Sequence, residues 1–221
     1  MVRADLDEYA NTNWKQYLKT ISELSKPDTK GMPLVDSEML QYSFDDICNA
    51  YCLNPALCSA DAIVVSDNKI ELIEYKTGFR DKMNTGKYDK SLGICNKTGT
   101  SIECKDVFNA LVKNRKMDRE LLKENIKTKA IDSWLMLDKL IFPKCTQSNE
   151  RELIYTVVVD TNPVDQEVEL MGGLAKHECD VPEIKAIKDA LKKYTFTDGK
   201  GSKAIYDKVC VYGSTNYIAN K

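Results

Sequence analysis

The sequence predicts an α/β fold whose core runs helix, hairpin, helix, strand over about residues 36 to 160. Three observations predict it. The apolar runs Ala62-Ile63-Val64-Val65 and Ile70-Glu71-Leu72-Ile73-Glu74-Tyr75 flank the turn-prone Ser66-Asp67-Asn68-Lys69, the pattern of a β-hairpin. The unbroken run Ile154-Tyr155-Thr156-Val157-Val158-Val159 has the length and branching of a central strand covered on both faces. Stretches of helical periodicity precede the hairpin and separate it from that strand.

Taken in order, residues 5–24 read as a helix, with Leu6, Tyr9, Trp14, Tyr17, Leu18 and Ile21 at roughly helical spacing. Pro27 to Pro33, with Gly31 between them, breaks it. Asp36 or Ser37 can cap a second helix running to about Tyr51, its stripe formed by Leu40, Phe44, Ile47 and Tyr51. Asn54-Pro55 ends it. A polar loop over 77–104 follows the hairpin, then helices at about 105–114 and 117–141. A further helix begins near Pro182, with Ile184, Ile187 and Leu191 on one side. The last stretch, with Ala204, Tyr206, Val209 and Val211, supplies an edge strand or hairpin. The 221 residues suit one domain, with a helical N-terminal extension (1–30) and an α+β addition at 161–221.

Composition narrows the functional class. Apolar residues make up 43% and charged residues 30%, the balance of a globular chain rather than a disordered one. No run approaches the roughly 20 apolar residues of a membrane span. The acidic start, Met1-Val2-Arg3-Ala4-Asp5-Leu6-Asp7-Glu8, lacks the apolar centre of a signal peptide, so the chain is expected in the cytoplasm. Its eight cysteines then read as reduced, small core residues. Cys48, Cys52, Cys58, Cys95 and Cys104 contain no C-x-x-C pair, which weighs against zinc or an iron–sulfur cluster. A single histidine, His177, weakens any nucleophile scheme needing a histidine base, and reads better as a loop residue than as a ligand. Gly199-Lys200-Gly201-Ser202-Lys203 lacks the spacing of a phosphate loop and reads as a turn.

Charge is unevenly spread. Residues 1–76 carry a net −6, residues 77–145 a net +6 and residues 146–221 a net −2. An acidic centre beside a basic segment suits a metal site next to a phosphate-binding surface, and a solvated helical surface would look similar.

The hairpin concentrates the chemistry. With its turn centred on Asp67-Asn68, facing residues have numbers summing to 135, so Asp61 faces Glu74. Lys76, two residues on, points to the same face. Two opposed carboxylates repel and lose solvation unless a cation compensates, and hard oxygen donors favour Mg²⁺ or Mn²⁺. A metal beside a fixed ammonium is what phosphodiester hydrolysis requires.

Ser59-Ala60-Asp61-Ala62-Ile63-Val64-Val65 followed by Ile70-Glu71-Leu72-Ile73-Glu74-Tyr75-Lys76 resembles the signature of the PD-(D/E)xK, or restriction-endonuclease-like, nuclease superfamily. The resemblance implies an α-β-β-α-β core with a mixed central sheet. It also implies that Asp61, Glu74 and the backbone carbonyl of Tyr75 bind the metal and that Lys76 assists the attacking water. Ala60 stands where the signature has proline. Members that add an acidic ligand from the preceding helix point to Glu38, although it falls opposite the Leu40–Phe44–Ile47 stripe. The expected partner is nucleic acid, with DNA the leading choice; a homodimer is compatible with these motifs. Lys127 shares a stripe with Ala130, Ile131 and Trp134, and either reaches over the sheet toward a phosphate or snorkels to solvent. Lys123 and Lys129 are further phosphate-contact candidates. The rival expectation is a non-catalytic module of the same fold that binds nucleic acid or a partner.

Overall fold

Asp67 and Asn68 form the two-residue turn of the expected hairpin, and the rest of the fold is arranged around the two strands they join. The computed structural model describes residues 4–27, 31–52, 57–78, 102–146, 151–160, 191, 195–197 and 202–219. In chain order the elements are β1 (Ala4–Asp5), α1 (Leu6–Asn13), β2 (Leu18–Thr20), α2 (Ile21–Leu24), β3 (Leu40–Ser43) and α3 (Phe44–Tyr51). The hairpin strands β4 (Ala62–Ser66) and β5 (Lys69–Lys76) come next, then α4 (Ile102–Met136), β6 (Cys145–Thr146) and β7 (Glu152–Val159). The chain continues through β8 (Thr195–Thr197), β9 (Ser202–Ala204), β10 (Lys208–Gly213) and α5 (Ser214–Ala219). The expected helix near Pro182, His177, and Gly199 to Gly201 lie outside the described residues, as does most of the loop after Gly78.

The fold is α/β, built on a mixed six-stranded sheet in the order β10-β7-β5-β4-β3-β2. Strands β2 to β5 pair antiparallel with their neighbours, whereas β5, β7 and β10 run parallel. A parallel neighbour needs a long crossover, which α4 supplies between β5 and β7. The expected central strand is β7, with residues 154–159 all buried, and the expected edge strand is β10.

Alternation along β5 assigns its side chains to two layers. Ile70 and Leu72 pack under α1, α3 and α4 with Trp14, Phe44, Ile47, Ile126, Leu137 and Tyr155. Ile73 and Tyr75 face the other way, toward Ile21, Val35, Val158 and Tyr217. Asp61 and Glu74 belong to the α4 side by this alternation.

Two expected helices are shorter than their periodicity implied. Residues 5–24 are not one helix. Asn11, Thr12 and Asn13 are weak helix formers, and α1 ends there with Trp14 buried beyond it. Leu18 and Thr20 then pair with Tyr42 and Leu40, so this segment extends the sheet. A new helix starts at Thr20, whose side chain and that of Glu23 form a reciprocal capping box. Likewise only Phe44 onward is helical in the second segment. Residues 40–42 pair with β2 and residues 42–43 with β4, so Leu40 lies in β3, where it is exposed. The two helices expected after the loop are one, Ile102–Met136, closing in a π-helical turn (Leu137–Ile141).

No helix among the described residues is long and apolar enough to cross a membrane. All five described cysteines are free; Cys48, Cys145 and Cys210 are buried as expected of small core residues, whereas Cys52 is half-buried and Cys58 exposed.

Candidate metal centre

The hairpin register follows the expected sum of 135, from Ser66 opposite Lys69 to Ala62 opposite Ile73. Asp61 lies one residue before β4, and Glu74 and Lys76 close the carboxyl end of β5. The three side chains meet. Lys76 Nζ is 2.7 Å from Glu74 Oε1 and donates to Asn125 Oδ1 at 2.9 Å. Asp61 Oδ2 accepts the backbone N–H of Tyr75 at 2.7 Å.

A fourth group joins them from α4. Lys129 Nζ donates to Asp61 Oδ1 at 3.1 Å and to Glu74 Oε2 at 2.9 Å. One cation therefore touches an oxygen from each carboxylate. The sequence reading named Lys129 only as a generic phosphate contact and missed Asn125. The helix stripe explains why. Among the described side chains of α4 the buried ones are Leu122, Ile126, Ala130, Ser133 and Met136, which turns Asn125 and Lys129 toward the hairpin. Of the expected stripe, Ala130 is buried, whereas Lys127, Ile131 and Trp134 are only half-buried. The Leu122–Ile126–Ala130 spacing was the signal available in the sequence.

Lys127 pairs with Glu124 and Lys123 with Glu120, each one turn back along α4, and neither lines the cleft around the acids. Glu38 is corrected more strongly. It is exposed in a non-helical segment ahead of β3, away from the cleft lining, because pairing of residues 40–43 displaces the helix that would have carried it. Tyr75 contributes backbone here, while its hydroxyl donates to Gln41 Oε1 at 2.8 Å on the opposite face of the sheet.

Electrostatics mark Glu74 as the unusual member. It is 0% exposed, and Oε1 has no aligned hydrogen-bond donor although the Lys76 ammonium is close. Burial, then the Asp61 charge, pushes its carboxyl up to about 7, against the pull of Lys129 and Lys76. Desolvation lowers the Lys129 ammonium, yet the Glu74 and Asp61 charges outweigh it and hold it above its ordinary range.

The cleft encloses about 710 Å³. It is lined by Asp61 and residues 74–77 of the hairpin, by Leu121, Leu122, Asn125 and Lys129 of α4, and by residues 24–27. Among the described residues no group of three or more His, Cys, Asp or Glu side chains is placed to form a metal cage. Two hard carboxylates whose oxygens Asp61 Oδ1 and Glu74 Oε2 already converge on one ammonium do fit Mg²⁺, which usually takes one or two protein carboxylates and completes its shell with water and substrate oxygens. No known protein family, no curated protein and no solved structure matches the chain, so the chemistry of this centre rests on its own geometry.

Proposed function

We propose that the chain is a Mg²⁺- or Mn²⁺-dependent phosphodiesterase that hydrolyses DNA on a restriction-endonuclease-like core. The observation that carries this reading is the convergence of Asp61 Oδ1 and Glu74 Oε2 on a single cation position, with the Lys76 ammonium beside it. The order α3, β4, β5, α4, β7 supports the core assignment, and the net +6 of residues 77–145 supports a polyanionic substrate.

In this scheme Asp61 and Glu74 hold the cation, with the Tyr75 carbonyl as the further donor implied by the resemblance. The bound ion supplies Lewis-acid polarisation and lowers the pKa of water. Lys76, braced by Asn125, orients the attacking water and adds fixed positive charge against the pentavalent transition state. Water attacks phosphorus, the bond to the leaving deoxyribose oxygen breaks, and a phosphomonoester and a free hydroxyl result. The proton lost by the water ends on the leaving oxygen or in solvent, and no covalent intermediate forms.

Purified protein is expected to cut DNA with Mg²⁺ or Mn²⁺ and to stop on chelation. Lys76→Ala should slow cleavage by about a hundredfold or more while leaving Mn²⁺ bound. Cleavage unchanged by that substitution overturns the scheme.

One observation favours a second reading, a non-catalytic module binding nucleic acid or a protein partner. Lys129 already forms an ion pair with each carboxylate without a metal. Calorimetry separates the two, since this module has no Mn²⁺ site depending on Asp61 and Glu74.

A further inference from the structure

We infer that Lys129 is a built-in counter-ion of the acid pair, one that the metal displaces and whose freed ammonium then contacts the scissile phosphate. This rests on the metal-dependent reading above and adds a competition within the same site.

The geometry separates the two lysines. Lys76 approaches Glu74 through Oε1 and is braced by Asn125, so it can keep both contacts when the other carboxylate oxygen changes partner. Lys129 instead holds Oε2 of Glu74 together with Oδ1 of Asp61, the two oxygens that converge. A Mg²⁺ or Mn²⁺ ion held by those oxygens would claim the space between them. An ammonium cannot keep its contacts of about 3 Å to the same pair, because the two cations would overlap in one space and repel. One must leave.

Lys129 has somewhere to go. Its side chain is 19% exposed and lines the cleft, on a four-carbon stem whose charge can swing without moving α4. Displaced from the carboxylates, the ammonium remains in the cavity where a phosphate must approach. Its role without metal is equally physical. Glu74 is fully buried, and an unpaired carboxylate there would be strongly disfavoured. Lys129 keeps the centre assembled, and it opposes metal binding for the same reason. A DNA phosphate that takes over the ammonium relieves that opposition, so metal and DNA each strengthen binding of the other.

The test titrates Mn²⁺ calorimetrically into the wild type, Lys129→Met and Lys129→Arg, without DNA. Lys129→Met should bind Mn²⁺ on the order of tenfold more tightly, the equivalent of losing one competing charged hydrogen bond. Lys129→Arg should bind more weakly than the wild type, because a planar guanidinium grips two carboxylates harder than an ammonium. At saturating Mn²⁺, Lys129→Met should cleave DNA more slowly despite its tighter metal binding. If the Met variant is too unstable to titrate, the sign of the Arg variant decides alone. Equal or weaker Mn²⁺ binding in Lys129→Met, or tighter binding in Lys129→Arg, overturns the competition and leaves the metal site standing. An undiminished saturated rate removes the phosphate contact. Absence of Mn²⁺ binding in all three proteins defeats the metal-dependent reading as well.

Discussion

Ser133 Oγ accepts the backbone N–H of Ala60 at 2.7 Å, and both residues are fully buried. This bond lets α4 set the position of the residue immediately before Asp61. It has company. Asp132 Oδ2 accepts the Cys58 N–H at 2.9 Å, the Asp61 carbonyl accepts the Phe44 N–H at 3.1 Å, and Ser59 Oγ donates to Asp45 Oδ1 at 2.6 Å. Asp61 is thus held by side chains and backbone from α3 and α4, in addition to its contact with Tyr75.

Ser133→Ala is therefore expected to leave a buried N–H without a partner. The loss should be about 1–3 kcal/mol, or several degrees in melting temperature for a chain of this size. On the proposed function, cleavage should also fall because Asp61 shifts. A variant as stable and as active as the wild type would show that the segment before β4 is held elsewhere.

Glu74 links stability to pH. Its folded-state pKa of about 7 lies above the ordinary 4.5, so the folded state holds the proton more tightly than the unfolded chain. The resulting stabilisation is fully present below pH 4.5 and is lost as pH rises through about 7. Denaturant unfolding of the metal-free wild type and Glu74→Gln, compared from pH 4 to 8.5, should show the wild type losing roughly 3 kcal/mol relative to the variant across that window. Parallel stability curves would contradict a carboxyl raised by burial.

The same group sets the pH dependence of metal binding if the proposed function holds. A carboxylate must be deprotonated to act as a ligand. Mn²⁺ affinity should fall about tenfold per pH unit below 7 and level off above it, as read by calorimetry between pH 5.5 and 8.5. A flat profile would mean that Glu74 is not a ligand.

Tyr155 offers a test away from any ligand role. Its side chain is fully buried on β7, and its hydroxyl has no hydrogen-bond partner among the described residues. Burial, followed by the nearby Glu74 carboxylate, holds the phenol well above its ordinary range, so it stays neutral. Tyr155→Phe removes a desolvated hydroxyl at nearly constant shape, and is expected to be neutral or to stabilise by about 1 kcal/mol. Destabilisation beyond about 1 kcal/mol in chemical unfolding would reveal a partner for this hydroxyl.

The errors in reading the sequence share a cause. Leu40 fits the helical stripe of Phe44, Ile47 and Tyr51 by spacing alone, yet pairing with Thr20 makes it part of a strand. Leu18 matched a helical pattern for a similar reason and pairs with Tyr42. A short strand whose partner lies some 20 residues away leaves no local trace distinguishing it from a helix end. Glu38 was misjudged as a consequence, because its helix was borrowed from residues that belong to the sheet.

What local sequence determined by itself is the hairpin. A two-residue turn between apolar strands leaves one register, and the period of two along a strand then sends Glu74 and Lys76 to one face and Tyr75 to the other. That is short-range physics, confined to some fifteen consecutive residues. Only the tertiary structure decided that Lys129 and Asn125 complete the centre and that Ser133 anchors its rim. Their placement depends on how α4 rotates about its axis as it packs across the sheet. That angle is chosen by the burial of Leu122, Ile126 and Ala130 against β4, β5 and β7, and not by anything adjacent to them in the chain.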